Sequence, residues 1–178
     1  IVVMLAVAAT SAFAQGYPTK PAKVVVPYPP GGPTDIVARV VSQKLSEQMG
    51  QQFIVENRPG AGGNIGAEAV AKSPPDGYTL LVATTAHAIN PSLFKNLGYN
   101  LTKDFAPVSL LTSGPLVIVV NPSVPAKNVR ELIAMGKAKP GSLNYASSGN
   151  GQSTHLSAEL FATMAGIKMN HVPYLSLI

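Results

Sequence analysis

The sequence predicts an α/β protein, with a parallel or mixed sheet and helices on both faces. Three observations predict it. Short runs rich in β-branched residues alternate with longer segments whose apolar residues recur at helical spacing. The strand-to-helix junctions are rich in glycine and polar caps: "YPPGGPTD", "NRPGAGGNIG" and "SSGNGQSTH". Of the 178 residues, 46% are hydrophobic and 12% charged, a balance that favours a packed core over a disordered chain.

The elements follow in order. "KVVVPY" reads as a buried strand, because three consecutive valines suit a strand covered on both sides. In "TDIVARVVSQKLSEQMG", Ile36, Val37, Val40, Val41 and Leu45 fall on one helical stripe, with Gly50 as the C-terminal stop. "QFIVEN" is a second strand and "AEAVAKS" a short helix closed by Pro74 and Pro75. "DGYTLLVAT" is a third strand, entered through an Asp76-Gly77 turn, and "HAINPSLF" holds a short helix expected to begin near Pro91. Two apolar strands in succession, "FAPVSLLT" and "PLVIVVNP", then break the alternation, as at a passage between domains. The rhythm restarts with helix "NVRELIAMGKAK", strand "LNYAS", helix "STHLSAELFATMAG" and strand "KMNHVPY", with Phe161 and Met164 at core spacing.

Both ends of the chain carry expectations. "IVVMLAVAATSAFA" is an apolar run ending in Ala12-Phe13-Ala14, a small-x-small pattern that predicts a signal peptide cleaved after Ala14. With no Lys or Arg before Lys20 that signal is expected to be clipped, and "HVPYLSLI", with no helix cap or polar tail, predicts a chain that continues. Zero cysteines exclude disulfides, thiolate catalysis, thiolate metal sites and a lipid-anchored cysteine. An exported, soluble, periplasmic protein is expected. The formal charge of +5 is spread singly, the tightest group being Lys127, Arg130, Lys137 and Lys139, so no nucleic-acid partner is expected.

Chemistry is expected at the three corners. Glycines allow close backbone approach, and each following helix presents free N–H groups and the positive end of its dipole, which together suit an anion. Thr34 or Asp35 is the expected N-cap of the first helix, and Ser153 or Thr154 that of the helix after the third corner. Because strand carboxyl ends of an open α/β sheet share one edge, the corners are expected to converge on one cleft. Other motifs fit less well. "GNGQST" departs from a dinucleotide fingerprint at Thr154, and no P-loop is present. Ser148 and Ser153 lack the glycines of a nucleophile elbow, and the carboxylates are well spread. His87, His155 and His171 lack metal-ligand spacing, so no metal or cofactor is expected. His155 reads as a hydrogen-bond donor near the cleft, and His171 as a satisfied strand residue.

Taken together, "YPPGGPTD", "ENRPGAGGNIGAEAVAKSPPDGYTLL", "HAINPSLF" and "NYASSGNGQSTHLSAELF" resemble the Bug-type periplasmic solute-binding receptors of tripartite tricarboxylate transporters, across essentially the whole mature chain. The resemblance implies a periplasmic-binding-protein fold of the type II, Venus-flytrap kind, without catalysis. On that reading residues 1–14 are the signal, 15–115 a largely present first domain, and 116–178 a truncated second domain. A small carboxylate would lie between the domains and be delivered to membrane permease subunits by a monomeric receptor. In this numbering the first corner of such receptors falls on Tyr28, Pro29, Gly31, Gly32 and Asp35, with Asp35 as cap and water-holder. The loop after the third strand falls on Thr85, His87 and Asn90, and the clamp of the second domain on Ser148, Asn150, Gly151, Ser153, Thr154 and His155. The competing readings are a secreted serine hydrolase using Ser148 or Ser153 with His155, and a sensory module using the same cleft for a signalling partner.

Overall fold

A computed structural model describes residues 16–174; the expected signal peptide lies outside the described residues. Three parallel strands form the first sheet in the order β2-β1-β3: β1 (Ala22–Val26), β2 (Phe53–Asn57) and β3 (Thr79–Leu81). The valine run takes the centre because a central strand needs apolar side chains on both faces. Ala22, Val24 and Val26 pack with Phe53 and with Ala38 of α1 (Pro33–Met49), while Val25, pointing the other way, is also buried. Helix α2 (Asn64–Ala71) contacts β1 and β3, and α3 (Thr85–Leu93) packs against α2 and the single 3-10 turn before it.

A second, two-stranded parallel sheet pairs β4 (Leu143–Ser147) with β5 (Met169–Pro173). Helix α4 (Val129–Ala138) precedes β4, with its Gly136 close to Ile167 just before β5, and α5 (Ser153–Ala165) packs on both strands.

Several expectations are corrected. Residues 105–112 and 115–122 form no strands. A strand exists only as half of a hydrogen-bonded pair, and no described strand runs beside these residues, so Val119 stands 86% exposed. Helix α3 begins at Thr85 and carries Pro91 inside it; a capping box between Thr84 and His87 starts it six positions before the proline. The fully buried positions of α1 are Asp35, Ala38 and Ser42; of the predicted stripe, Val37, Val41 and Leu45 are half-buried, Leu45 against the core, while Ile36 and Val40 are exposed. Met164 is 79% exposed instead of core. The stop at Gly50 is as expected: its φ of 70° is left-handed, and its N–H donates to Ser46 O.

Candidate functional site

The first corner is held from behind by Asp35. Its carboxylate is 2% exposed and accepts from Gly31 N at 2.9 Å, Arg39 Nε at 2.8 Å and Asn57 Nδ2 at 2.9 Å. The hydrogen bond from Arg39, helped by those from Gly31 and Asn57, outweighs burial and lowers its pKa to about 2. Asn57 also donates to Tyr28 O at 3.0 Å, tying the end of β2 to the loop after β1. Asp35 is therefore neither the N-cap nor a water-holder at an open site, and the Gly31 amide is spent inside the loop. The N-cap is Gly32, which makes no side-chain cap, with Pro33 at the first helical position.

The third corner has a parallel construction. Gln152 is the N-cap of α5, again without a side-chain cap, in place of the expected Ser153 or Thr154. Thr154 Oγ1 accepts from Ser148 N at 3.0 Å and lies 2.8 Å from Ser148 Oγ, closing the loop on itself. His155 is an acceptor: Gly151 N donates to its Nδ1 at 3.1 Å. Gly149 N donates to Ser147 Oγ at 3.1 Å. The first helical hydrogen bonds run from Ile36 N to Gly32 O and from Leu156 N to Gln152 O, both 3.0 Å. The amides before them, those of Thr34 and Asp35 and of Ser153, Thr154 and His155, have no acceptor within the helix.

These two corners open on one cavity of about 280 Å³. Gly32, Pro33 and Thr34 form one wall, and Ser148, Gln152, Ser153 and Thr154 the facing wall. Tyr28, Thr84 and Thr85 line the floor, where Tyr28 Oη and Thr84 Oγ1 are 2.6 Å apart, and Leu116 lies at the edge. None of the lining residues is charged. Helix α4, which takes no part in this cavity, is capped by its own Asn128, whose Oδ1 accepts from Glu131 N at 3.1 Å.

Of the sequence-predicted residues, Tyr28, Gly32, Thr85, Ser148, Ser153 and Thr154 are brought together in the cavity wall. Pro29, Gly31 and Asn150 lie outside it, and Asp35, Gly151 and His155 support its corners. His87 and Asn90 are buried beneath the floor. The His87 ring is 0% exposed; Thr84 N donates to its Nδ1 at 3.0 Å, and burial lowers its pKa. Its Nε2 has no hydrogen-bond partner, although the Gly63 carbonyl is near enough to favour a proton on the ring. Asn90 Nδ2 donates to Asn64 Oδ1 at 2.6 Å and to Gly62 O at 3.3 Å, and Tyr99 Oη donates to Asn64 Oδ1 at 2.8 Å.

The second corner is thus behind the cavity, against expectation, and acts as its backing. Gly66 of α2 shows why: a Cβ there would stand 2.8 Å from Pro27 Cβ and 3.0 Å from Arg58 O, so only glycine lets α2 press on the first corner. Sequence reasoning passed over Thr84, Gln152 and Leu116. Gln152 sits inside the quoted third corner, and Thr84 was detectable as a threonine three positions before a ring nitrogen able to reach back to it. The pairing that the competing hydrolase reading needs is not assembled, since Ser148 bonds Thr154 and His155 bonds a backbone amide. The serine that does touch a histidine, Ser147, is 0% exposed.

The model of the tripartite tricarboxylate transporter family receptor, TctC, matches residues 37–176. The chain belongs to this family. Among its TctC-family relatives is the protein BugT of Bordetella pertussis, 42% identical over 163 residues, covering 90% of this chain and 50% of BugT. An R. palustris protein solved with adipate superposes with a TM-score of 0.84 at 42% identity, over 89% of this chain and 53% of that one. MatC from Rhodopseudomonas palustris, solved with bound malate, gives 0.80 at 35% identity, over 90% and 55%. The chain spans about half the length of the curated relatives it matches. The parallel sheets and their helices match an α/β periplasmic-binding-protein fold of this TctC type.

Proposed function

We propose that this protein is a periplasmic solute receptor that holds a small carboxylate in the cavity between the first and third corners and presents it to the membrane subunits of a tripartite transporter. One observation carries the reading. The two helices that open on the cavity, α1 and α5, begin without side-chain caps, which leaves their first-turn amides available to it; α2, behind the cavity, also lacks a side-chain cap, and α4, away from it, is capped by Asn128. A carboxylate would complete both open helix ends, accepting from their first-turn amides and from the hydroxyls of Thr34, Ser153 and Tyr28. The adipate and malate held by its relatives have two carboxylates each, matching a cavity with two donor walls.

Magnitudes are sufficient for binding alone. Micromolar affinity corresponds to about 8 kcal/mol. Hydrogen bonds to a charged group contribute roughly 1.5–3 kcal/mol each, so about five donors reach it after association costs. No reacting group is required, and the role is capture, not turnover. The expected signal peptide and the two-domain division at about residue 115 accord with this reading. Calorimetric titration with adipate, malate and an uncharged diol of adipate length tests it. Heat from either acid and none from the diol is expected; equal heats from acid and diol, or none from any, would refute it.

A further inference from the structure

Three aromatic rings form a column on the face of the second sheet that α5 covers. Tyr145 and His171 are register partners on β4 and β5, so their rings meet, with centroids 4.9 Å apart and planes 18° from parallel. His155, from the first turn of α5, stacks on His171 with centroids 4.0 Å apart and planes 13° from parallel. Each imidazole holds one glycine amide of the third corner. His155 Nδ1 accepts from Gly151 N directly. His171 Nε2 is 2.5 Å from Ser147 Oγ, which accepts from Gly149 N. Gly149 and Gly151 flank Asn150, so these two rings hold the middle of the loop that leads into the uncapped end of α5, whose start is tied separately by Thr154 Oγ1 to Ser148.

The contact between Gly151 N–H and His155 Nδ1 requires a bare nitrogen. A proton there would set one N–H against another and turn an attraction into a repulsion. The remaining groups on this face limit the column further. β4 contributes Tyr145 and β5 contributes His171, while α5 contributes His155 and Glu159; from α3, the apolar Leu93 meets Gly151. Glu159 is the one anion, and its carboxylate is engaged by the Tyr145 hydroxyl, which burial and that bond keep protonated. Burial and the neighbouring His155 lower the pKa of His171. Two imidazolium rings face to face at this distance repel, so the column takes up one proton far more readily than two.

We propose that the His155–His171 pair is a proton-operated latch on the carboxylate-binding corner: unprotonated at His155 Nδ1 it holds Gly151 and the α5 entrance in place, and a proton taken up there frees the corner and weakens binding. The idea rests on the carboxylate reading above. Affinity is then full where His155 Nδ1 is bare and falls where it carries a proton.

The test combines two measurements at about pH 8 and about pH 6, which span an ordinary histidine. Adipate binding is followed by calorimetry, and exchange of the Gly151 amide by NMR, corrected for the intrinsic rate. In the native chain both affinity and Gly151 protection are expected to fall about tenfold, the equivalent of one lost hydrogen bond. In His155→Gln, whose side-chain oxygen accepts at either pH, protection should not change and the affinity ratio should shrink to that of the ligand's own ionisation. An unchanged pH slope in that variant, or constant Gly151 protection in the native chain while the imidazole resonances titrate, overturns the proposal. Absence of adipate and malate heat at high pH would sink the carboxylate reading, yet Gly151 exchange, which needs neither ligand nor variant, still decides the latch.

Discussion

The first and third corners face each other across one cavity, yet they are built on unequal foundations. Beneath the first lies a three-stranded sheet with a central strand buried on both faces, a buried carboxylate with three donors, and an amide cluster of Asn64, Asn90 and Tyr99. Beneath the third lies a two-stranded sheet whose residues are nearly all exposed or half-exposed, and a loop held by hydroxyls and imidazoles. Two strands alone are marginal in water. A binding cleft can therefore pair a rigid wall, shaped during folding, with a wall whose shape depends on few and weak bonds. The difference locates where stability and where affinity should respond to change.

Substitutions can break this contrast, and the largest effect belongs to the first corner. Asp35→Ala strips Gly31, Arg39 and Asn57 of their acceptor at a buried position and is expected to cost about 3 kcal/mol, read as a drop in the chemical-denaturation midpoint. If unfolding were unaffected, the first corner would not be the rigid one. Gly66→Val forces atoms into Pro27 and the Arg58 carbonyl and should cost roughly 1–3 kcal/mol, with the same readout. Thr154→Ala acts on the other wall. Losing the Ser148 contacts should cost only about 1 kcal/mol of stability but weaken adipate binding about tenfold by calorimetry. Asn128→Ala, at the capped helix outside the cavity, should remove about 1 kcal/mol and leave binding unchanged.

Acidity probes both sides, because His87 lies beneath the cavity floor and His171 in the second sheet, while Asp35 holds the first corner. The lowered folded-state pKa values of His87 and His171 mean that folding favours their neutral forms, so their contribution is complete above the ordinary value of 6.5 and is lost as pH falls below it. That of Asp35, also lowered, is complete above its ordinary value of 3.8 and is lost only as pH falls towards about 2. Stability should therefore decline in two stages on acidification, histidines first and the first corner last. Denaturation midpoints across that range check the order, and a single step near 4 would contradict it.

Much of the fold was legible because its signals are local. β-branched runs, helical spacing and the glycine stop at Gly50 placed most of the strands and helices between Ala22 and Pro173. What failed was non-local. The valines of 117–120 read as a strand, but pairing depends on a neighbour that no local pattern encodes. Ile36 and Val40 read as part of the apolar stripe, but the inward face is centred on Asp35, Ala38 and Ser42, flanked by Val37, Val41 and Leu45, and spacing alone did not resolve which edge of the stripe meets the sheet. At the candidate site the corners were legible and their division of labour was not. Glycine amides looked like ligand donors, yet Gly31, Gly149 and Gly151 spend theirs within the loops, which leaves the work to the first helical turns.

The uncharged lining of the cavity has a further consequence. Peptide dipoles fixed by the fold carry no counter-ion that a bound acid must displace, and groups set back from bulk solvent are screened less than exposed charges. On the receptor reading proposed above, occupancy at a given solute concentration should then differ little between dilute buffer and seawater-like salinity.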